Sequence, residues 1–357
     1  MKQFLLITSL CLGLFSFAQH TNNNSLLWRI EGRGLNGPSY LFGTIHLPQK
    51  KFIIYSDSVY DAIQHTSVFY NEVDFLHQSL FGDTGMLTFF REKLKWMDSL
   101  QKTDSWKRFI DKINKQYNVH LDYDSTDQFV QFSQQLQAPL YQKDEGVSVP
   151  DMMLAGHAAS LGKKTGGLET YRLQFNMLYD IIEARLRDTA LSLDEEGVLT
   201  DRLRQYYVDE KMDSINWSIQ HINPTYRTIV FDNRNRTMSD SIEKHAKEQP
   251  SFFAIGAGHL GGAQGVIELL KKKGFKVTPV HSDNKISLLV VQNMVKMTER
   301  ARKRHEAEKN KEETSTMKID TEGTKEETPE PPPGLVPGRN MPDTIPAPAK
   351  SKTKKKP

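Results

Sequence analysis

The chain has 357 residues, of which 47 are lysine or arginine and 44 are aspartate or glutamate, so its formal net charge is only +3. This near balance gives no support for a nucleic-acid partner. The one cysteine, Cys11, lies in an amino-terminal segment that we expect to be removed. Disulfide bonds are thereby excluded from the mature protein, and its core or a bound metal must stabilise it.

The first 18 residues are typical of an export signal. Lys2 gives a positive start, residues 4–17 are mostly apolar, and Ser16-Phe17-Ala18 matches a small-x-small cleavage site. The apolar run is shorter than the roughly 20 residues that a membrane-spanning helix needs, and no later segment approaches that length. We therefore predict a signal peptide over 1–18 and an exported mature protein, periplasmic or extracellular, that begins near Gln19.

The rest of the chain predicts strands that alternate with helices. The predicted elements are, in order, strands over 26–29 and 40–42, a helix over 56–65, a strand over 67–73, a mostly polar helical region over 80–145, a helix over 150–159, a strand over 163–169, helical regions over 171–218 and 225–247, and a strand, glycine loop, helix and strand over 251–280. In the polar region, Trp96, Trp106 and Phe109 are expected on buried faces. This order predicts an α/β fold with a largely parallel or mixed sheet between helical layers.

Two short motifs place a histidine just after an apolar strand. Gly43-Thr44-Ile45-His46 and Gly256-Ala257-Gly258-His259 both follow the pattern G-x-x-H, and glycine lets a backbone turn tightly and approach a ligand closely. Two acids, Glu72 and Glu169, fall near the ends of other predicted strands. Because ligands bind beyond the carboxyl ends of strands in parallel sheets, we predict that the four side chains share one site.

This set of residues suits two kinds of chemistry. Two histidines and a carboxylate can hold a divalent metal and leave a position open for water. The same residues can also act without a metal, with one imidazole as a general base and a carboxylate that orients it. The residue types leave both alternatives open.

The second histidine motif also matches a dinucleotide fingerprint. Residues 256–261 read G-x-G-x-x-G between a strand and a helix, and Asp283 lies near the end of the next strand. However, this is the last strand-helix-strand unit before the tail, whereas a dinucleotide-binding domain begins with it. The bulky imidazole of His259 in the loop and the expected export also argue against a nicotinamide enzyme. Neither G-x-S-x-G nor H-E-x-x-H occurs in the sequence.

The carboxyl-terminal segment has a different composition. From about residue 297 it is rich in Lys, Arg and Glu, and after Thr328 it is rich in proline and lysine. Such a segment cannot bury enough apolar surface to fold. We predict a disordered tail over 286–357 that begins as a basic helix through 300–304. It is interpreted as solvated, with contact to an anionic surface as the alternative.

The motifs taken together resemble the TraB/GumN family, which includes the Tiki metalloproteases. The resemblance covers roughly residues 26–282 and rests on five segments in order, which are YLFGTIHLP, VFYNEVD, GGLET with Gln174, FDNRNRTMSDSI and AIGAGHLGGAQGVIELLKKKGFKV. It implies a catalytic domain over 19–285 with a fold related to the erythromycin esterase and ChaN-like proteins. In that fold two pseudo-equivalent halves surround one cleft, which helical insertions cover.

The resemblance also implies an activity and a set of site residues. The activity is metal-dependent hydrolysis of a peptide or protein substrate, with Mn²⁺ or Co²⁺ as the expected ion and Zn²⁺ as another. The implied roles are listed together: His46, His259 and Glu72 as metal ligands, Glu72, Glu169 and Arg234 as catalytic groups, and Asn235 and Gln174 as substrate-binding residues. Arg234 would donate to the oxyanion or form a salt bridge with Glu72 or Glu169. The alternatives are a metal-independent, esterase-like hydrolase and a non-catalytic protein that sequesters a peptide or haem.

Overall fold

The computed structural model describes residues 24–322, apart from 33, 75, 78–83, 139–141, 188–190 and 192–194. The predicted signal peptide and the proline-rich end of the chain lie outside the described residues. The chain divides into two compact units, Met1–Thr298 and Glu299–Pro357. Within the described residues, none of the helices is long and apolar enough to span a membrane.

The strands confirm the predicted α/β architecture. They are β1 (Leu27–Glu31), β2 (Ser39–Thr44), β3 (Ile54–Ser56), β4 (Val68–Asn71), β5 (Lys164–Gly167), β6 (Ser251–Gly256), β7 (Lys276–Val280) and β8 (Lys285–Ser287). Six of them form one mixed sheet in the order β5-β4-β6-β2-β1-β7. The first four strands in this order run parallel, and β1 is antiparallel to both of its neighbours.

Helices cover the sheet and fill the connections. They are α1 (Asp57–Gln64), α2 (Thr84–Leu100), α3 (Asp104–Tyr117), α4 (Thr126–Gln137), α5 (Pro150–Ser160), α6 (Tyr171–Arg187), α7 (Glu195–Val208), α8 (Met212–Gln220), α9 (Pro224–Arg227), α10 (Asn233–Glu248), α11 (Val266–Lys272) and α12 (Leu288–Glu322). A π-helical turn, Thr228–Asp232, joins α9 to α10. The predicted basic helix is confirmed as part of α12, which begins earlier than expected.

The centre of the sheet is buried on both faces. β6 lies between β4 and β2, and its Phe252 and Phe253 point to opposite faces yet are both fully buried. The ring of Phe69 on β4 stacks on Phe252, with centroids 5.3 Å apart. A continuous apolar run is what a parallel strand covered by helices requires, which is why this strand was predictable from sequence.

The helical region between β4 and β5 has its own small core. On α3, Trp106, Phe109, Ile110 and Ile113 are buried and fall on one face at helical spacing. The hydroxyl of Thr103 accepts a hydrogen bond from the backbone N–H of Trp106 and caps the helix. The predicted burial of Trp106 and Phe109 is therefore confirmed, whereas Trp96 is only partly buried.

Two features differ from the predicted elements. The three-residue strands β3 and β8 pair with each other in a second, antiparallel sheet that was not predicted. Strands this short carry no readable alternation of apolar and polar residues. The helical region predicted over 171–218 is divided into α6, α7 and α8, and Glu210 between α7 and α8 has a positive φ of 53° that ends the helix.

Candidate functional site

The four predicted strand-end residues lie along one edge of the sheet. Glu169, Glu72, His259 and His46 follow β5, β4, β6 and β2, and these are neighbouring parallel strands in that order. Because parallel strands end at the same edge, the residues after them meet there. Glu72 therefore lies between Glu169 and His259, as the distances below show.

The glycines of the two histidine motifs are needed for close packing between the loops. A Cβ on Gly43 would lie 2.7 Å from Leu260 Cδ1 and 3.1 Å from Ala257 Cα, so β2 contacts the His259 loop directly. A Cβ on Gly258 would lie 2.7 Å from the ring of Phe231. The ring of Phe231 therefore packs directly against the glycine loop at Gly258.

His259 is buried and held in one tautomer. Its Nδ1 lies 2.6 Å from Oδ1 of Asn235, and Nδ2 of Asn235 donates to the carbonyl of Gln264 at 2.8 Å. The second bond fixes the amide so that its oxygen faces the ring, which makes Nδ1 the protonated nitrogen. Burial, followed by the charge of Arg234, lowers the pKa of His259 to about 3. The ring is therefore neutral and keeps a lone pair on Nε2, the form that binds a metal.

Arg234 joins the two acids. Its Nη2 donates to Oε2 of Glu72 at 2.6 Å and to Oε2 of Glu169 at 2.6 Å, and its Nε donates to Oε2 of Glu169 at 3.0 Å. Its Nη1 makes longer contacts, including one of 3.4 Å to Nε2 of His259. Of the two interpretations of Arg234, the structure contains the salt bridge, and Arg234 forms it with both Glu72 and Glu169. Glu169 lies behind the guanidinium with a fully buried side chain, where burial raises its pKa against the opposing effect of Arg234.

Glu72 is surrounded by donors that favour its ionised form. Its Oε1 accepts from the backbone N–H of Gly256 at 2.7 Å, and its Oε2 accepts from Arg234 and from Nε2 of Gln174 at 3.2 Å. Burial alone would raise its pKa, but the charge of Arg234 and the Gly256 bond hold it well below the ordinary value. Oε1 is 3.8 Å from Nε2 of His259.

His46 has a buried acid beside it that the sequence reasoning did not assign to the site. Nε2 of His46 lies 3.4 Å from Oδ2 of Asp151, and Oδ1 of Asp151 accepts from the hydroxyl of Thr44 at 2.6 Å. Asp151 is 1% exposed, and its Oδ2 has no hydrogen-bond partner among the described residues. The Asp151 carboxylate raises the pKa of His46, although water screens part of this effect because 46% of the His46 side chain is exposed. The sequence shows Asp151 only as an aspartate in the first turn of α5. An acid at that position is usually explained by its favourable interaction with the helix dipole.

These residues open into one cavity of about 260 Å³. Its lining includes His46, Glu72, Arg234 and His259 together with residues of α6, α7, α8 and the π-helical turn. Asn235 and Glu169 are not among the lining residues, and Gln174 reaches the site through Glu72. The structure thus joins six of the seven predicted residues in one hydrogen-bond network, and His46 shares only the cavity with them.

The cavity contains donor types that divalent metals take. His259 is neutral with Nε2 on the Glu72 side, Glu72 is ionised, and His46 lines the same cavity. The part of the chain that the structure describes contains no ready-made group of three His, Cys, Asp or Glu side chains around a single point. The donors are of the right kind and share one cavity, but they do not converge, and Nη1 of Arg234 lies 3.4 Å from Nε2 of His259.

Known proteins resemble this chain over the same region. The Metalloprotease TIKI2 of Danio rerio is 24% identical over 71% of this chain and 60% of its own length. The Metalloprotease TIKI1 of Homo sapiens is 23% identical over 72% of this chain and 62% of its own length. The Metalloprotease TIKI homolog of Nematostella vectensis is 22% identical over 74% of this chain. The chain thus spans less than two thirds of the length of the zebrafish and human relatives.

A family-wide comparison covers the whole sheet and every residue of the network. The sequence profile of the TraB/PrgY/gumN family matches residues 26–279, from the residue before β1 to the penultimate residue of β7. This range holds both histidine motifs, the two strand-end acids and the start of α10 with Arg234. The chain belongs to the TraB/PrgY/gumN family.

Proposed function

We propose that the protein is an exported, metal-dependent hydrolase that cleaves peptide bonds in the cavity between the two histidine loops. One observation carries the proposal: a neutral, oriented His259 beside an ionised Glu72, in a cavity that also contains His46 and Arg234. A neutral imidazole and an ionised carboxylate are ligand types of catalytic divalent metals, and at His46 the metal would have to displace the proton that Asp151 favours.

His46, His259 and Glu72 would hold the metal. When bound, such an ion polarises a carbonyl and lowers the pKa of a water molecule, so that it becomes a nucleophile near neutral pH. Glu72 fits the role of ligand better than that of general base, because a carboxylate with a strongly lowered pKa is a weak proton acceptor. The metal expected here is Mn²⁺ or Co²⁺, with Zn²⁺ as the other choice.

Arg234 provides charge stabilisation from a fixed position. Glu72 and Glu169 hold its Nε and Nη2, while Nη1 makes only longer contacts, of 3.4 Å or more, and the residue lines the cavity. Nη1 is therefore the group we assign to the developing oxyanion or to a substrate carboxylate. In this proposal Glu169 acts by holding Arg234, and Gln174 acts by holding Glu72.

The relatives support the substrate class. Three animal proteins of similar sequence are named metalloproteases, so a peptide or protein is the substrate we propose here. Asn235 was predicted to bind substrate, but both ends of its amide are already bonded, and we propose instead that it orients His259.

Removal of the metal tests the proposal directly. Purified mature protein should hydrolyse a mixture of fluorogenic peptides, lose this activity with a chelator, and regain it with Mn²⁺, Co²⁺ or Zn²⁺. His46→Ala and His259→Ala should each lose bound metal and activity while remaining folded. His65→Ala is the matched control, because His65 directly follows α1 and 67% of its side chain is exposed. Chelator-resistant hydrolysis would support the metal-free alternative with the His46–Asp151 pair, and peptide or haem binding without turnover would support sequestration.

Export is proposed on the sequence of residues 1–18, which lie outside the described residues. The mature protein should begin near Gln19. Mass spectrometry of the protein from the cell envelope or medium tests this, and an intact Met1 on the functional protein would contradict it.

A further inference from the structure

The lining of the catalytic cavity combines polar and apolar groups. His46, Glu72 and His259 follow strands of the sheet and Arg234 lies on α10, whereas apolar side chains from the covering helices form what we call the apolar wall. These include Met177 on α6, Leu199 and Leu203 on α7, Val230 and Phe231 on the π-helical turn, and Ile215 on α8. A cavity lined by both polar and apolar groups orients a substrate that has both kinds of surface.

The apolar wall is held in place by a core of its own. Phe231 and Leu199 belong to one buried cluster together with Ile181, Ile219 and Tyr226, with Met177, Leu203 and Val230 packed against it. The ring of Phe231 also packs on the ring of His259, with centroids 5.0 Å apart. The apolar wall and the catalytic histidine are therefore in direct contact, and a group bound on the wall lies beside the reacting groups.

The turn that carries two of these residues is itself unusual. Thr228–Asp232 is π-helical. Such turns are rare in proteins overall, but those that occur are often found at functional sites. The turn places Val230 and Phe231 on the cavity while the following turn of α10 places Arg234 there. The same irregularity therefore positions an apolar contact and the charged donor next to each other.

The wall offers no partner to a charged substrate side chain. Among the described residues that line the cavity, the ionisable groups other than the two tyrosines are His46, Glu72, Arg234 and His259, and none of these belongs to the apolar wall. The charge of Arg234 is already matched by Glu72 and Glu169. A charged side chain on the wall would lose its water without gaining an ion pair, whereas an apolar one would gain by burial.

We propose that this wall is a specificity pocket for a large apolar side chain, such as that of leucine, methionine or phenylalanine, on the substrate residue next to the cleaved bond. The inference rests on the proposed peptidase function and adds the substrate class to it. Apolar pockets discriminate by roughly 10- to 200-fold per methylene group at most. Leucine or phenylalanine at this residue should therefore raise kcat/KM by about 10- to 100-fold over alanine, and aspartate should be the poorest.

A matched peptide series tests the inference. The peptides share one sequence and differ only at one residue, which is leucine, phenylalanine, alanine or aspartate, on each side of the cleaved bond in turn. The metal-loaded wild-type protein should prefer leucine and phenylalanine on one of the two sides. Equal cleavage of all the peptides would overturn the pocket while the peptidase function stands. A preference for aspartate would overturn the pocket as well. If none of the peptides is cleaved, both the pocket and the proposed peptidase function are overturned.

Two changes at Val230 make the test independent of any single variant. Val230→Phe should reduce kcat/KM for the leucine and phenylalanine peptides by about 10-fold or more relative to alanine, because the added ring occupies the pocket. Val230→Ala should shift the preference toward the larger side chain. Val130→Phe is the control, since Val130 is 45% exposed on α4 and does not line the cavity. If the ratio of kcat/KM for the leucine peptide to that for the alanine peptide is the same in both Val230 variants as in the wild type, the preference does not come from the apolar wall and the pocket is overturned.

Discussion

Asn235 decides which nitrogen of His259 can bind a ligand. Because its Oδ1 lies 2.6 Å from Nδ1, the proton stays on Nδ1 and Nε2 keeps its lone pair. We predict that Asn235→Ala reduces metal affinity or kcat by about 10- to 100-fold, the usual scale for loss of a partner that orients a metal-binding histidine.

The control for this prediction lies one half-turn away. Asn233→Ala removes an exposed amide from the same helix and should leave metal content and kcat unchanged. Metal analysis and peptide kinetics on both variants provide the measurement. If Asn235→Ala keeps the wild-type values of both, the amide is only a structural contact and the substrate-binding role predicted from sequence also loses its basis.

Asp151 lies beside His46, as Asn235 lies beside His259. Its carboxylate is buried, bonded to Thr44, and 3.4 Å from Nε2 of His46. We expect Asp151→Asn to lower kcat by about 10-fold or more with little change in KM, because a residue that orients a catalytic group acts mainly on the transition state. Asp127→Asn, which removes an exposed acid from the first turn of α4, is the matched control. An equal loss in both variants, or a change in KM alone, would argue against positioning.

At the scale of elements, the contact between β2 and the His259 loop depends on Gly43. A methyl group there would meet Leu260 at 2.7 Å and the Ala257 backbone at 3.1 Å. We predict that Gly43→Ala lowers the free energy of unfolding by about 1–3 kcal/mol, the usual cost of overpacking, and also reduces activity. Gly156→Ala should instead stabilise by roughly 0.5–1 kcal/mol, because Gly156 is inside α5 with open space around it. Chemical denaturation of both variants checks the pair, and two changes of the same sign would contradict the packing argument.

The same scale shows why some elements were predictable. Each long element has a local signal that agrees with its environment, such as the apolar run of β6 or the one-sided spacing of Trp106 and Ile113 on α3. β3 and β8 have three residues each and pair across more than 200 positions of sequence. Their pairing follows from where α1 and α12 begin, which a local pattern does not contain.

At the scale of the whole molecule, acid should destabilise the fold through His157. This ring is 2% exposed, packs edge-on against Tyr60, and burial lowers its pKa below the ordinary value. The unfolded chain therefore binds a proton below about pH 6.5 that the folded protein rejects. The stability is fully present above that pH and is lost as the pH falls, by at most about 1.4 kcal/mol per pH unit.

His157→Gln isolates this contribution. In metal-free protein, the difference in unfolding free energy between pH 7 and pH 5 should be smaller for the variant than for the wild type, whatever its effect at pH 7. His65→Gln changes an exposed histidine directly after α1 and should leave the difference unchanged. Denaturant unfolding at the two pH values gives the comparison, and equal pH dependence in wild type and His157→Gln would refute it.

The division of the chain gives a prediction about the carboxyl-terminal segment. Residues up to Thr298 form a compact unit, and within it β8 pairs with β3 and Leu288 is fully buried. We expect removal of residues 299–357 to leave the thermal midpoint and peptide cleavage unchanged. Removal of residues 286–357, at the boundary predicted from sequence, should destabilise the protein because it takes away most of β8 and Leu288. Equal stability of the two truncated forms would contradict this prediction.

The sequence by itself determined the parts that local chemistry controls. An apolar strand, a glycine turn and a histidine or acid after it are all readable within ten residues, and parallel strands bring their carboxyl ends to one edge. His46, Glu72, Glu169 and His259 could therefore be assigned to one site, and the order of motifs pointed to the family. The α/β class followed from the alternation of strands and helices alone.

Only the tertiary structure decided which of these residues contact one another and how each one is oriented. Asp151 lies more than 100 positions from Thr44 and His46, and its burial beside them depends on how α5 packs on the sheet. The shared bonds of Arg234, the tautomer of His259 and the apolar wall around Phe231 likewise depend on distances between separate elements. Charge, desolvation and hydrogen-bond geometry act over a few ångströms in space, and a linear pattern records which residues are present but not which of them come that close.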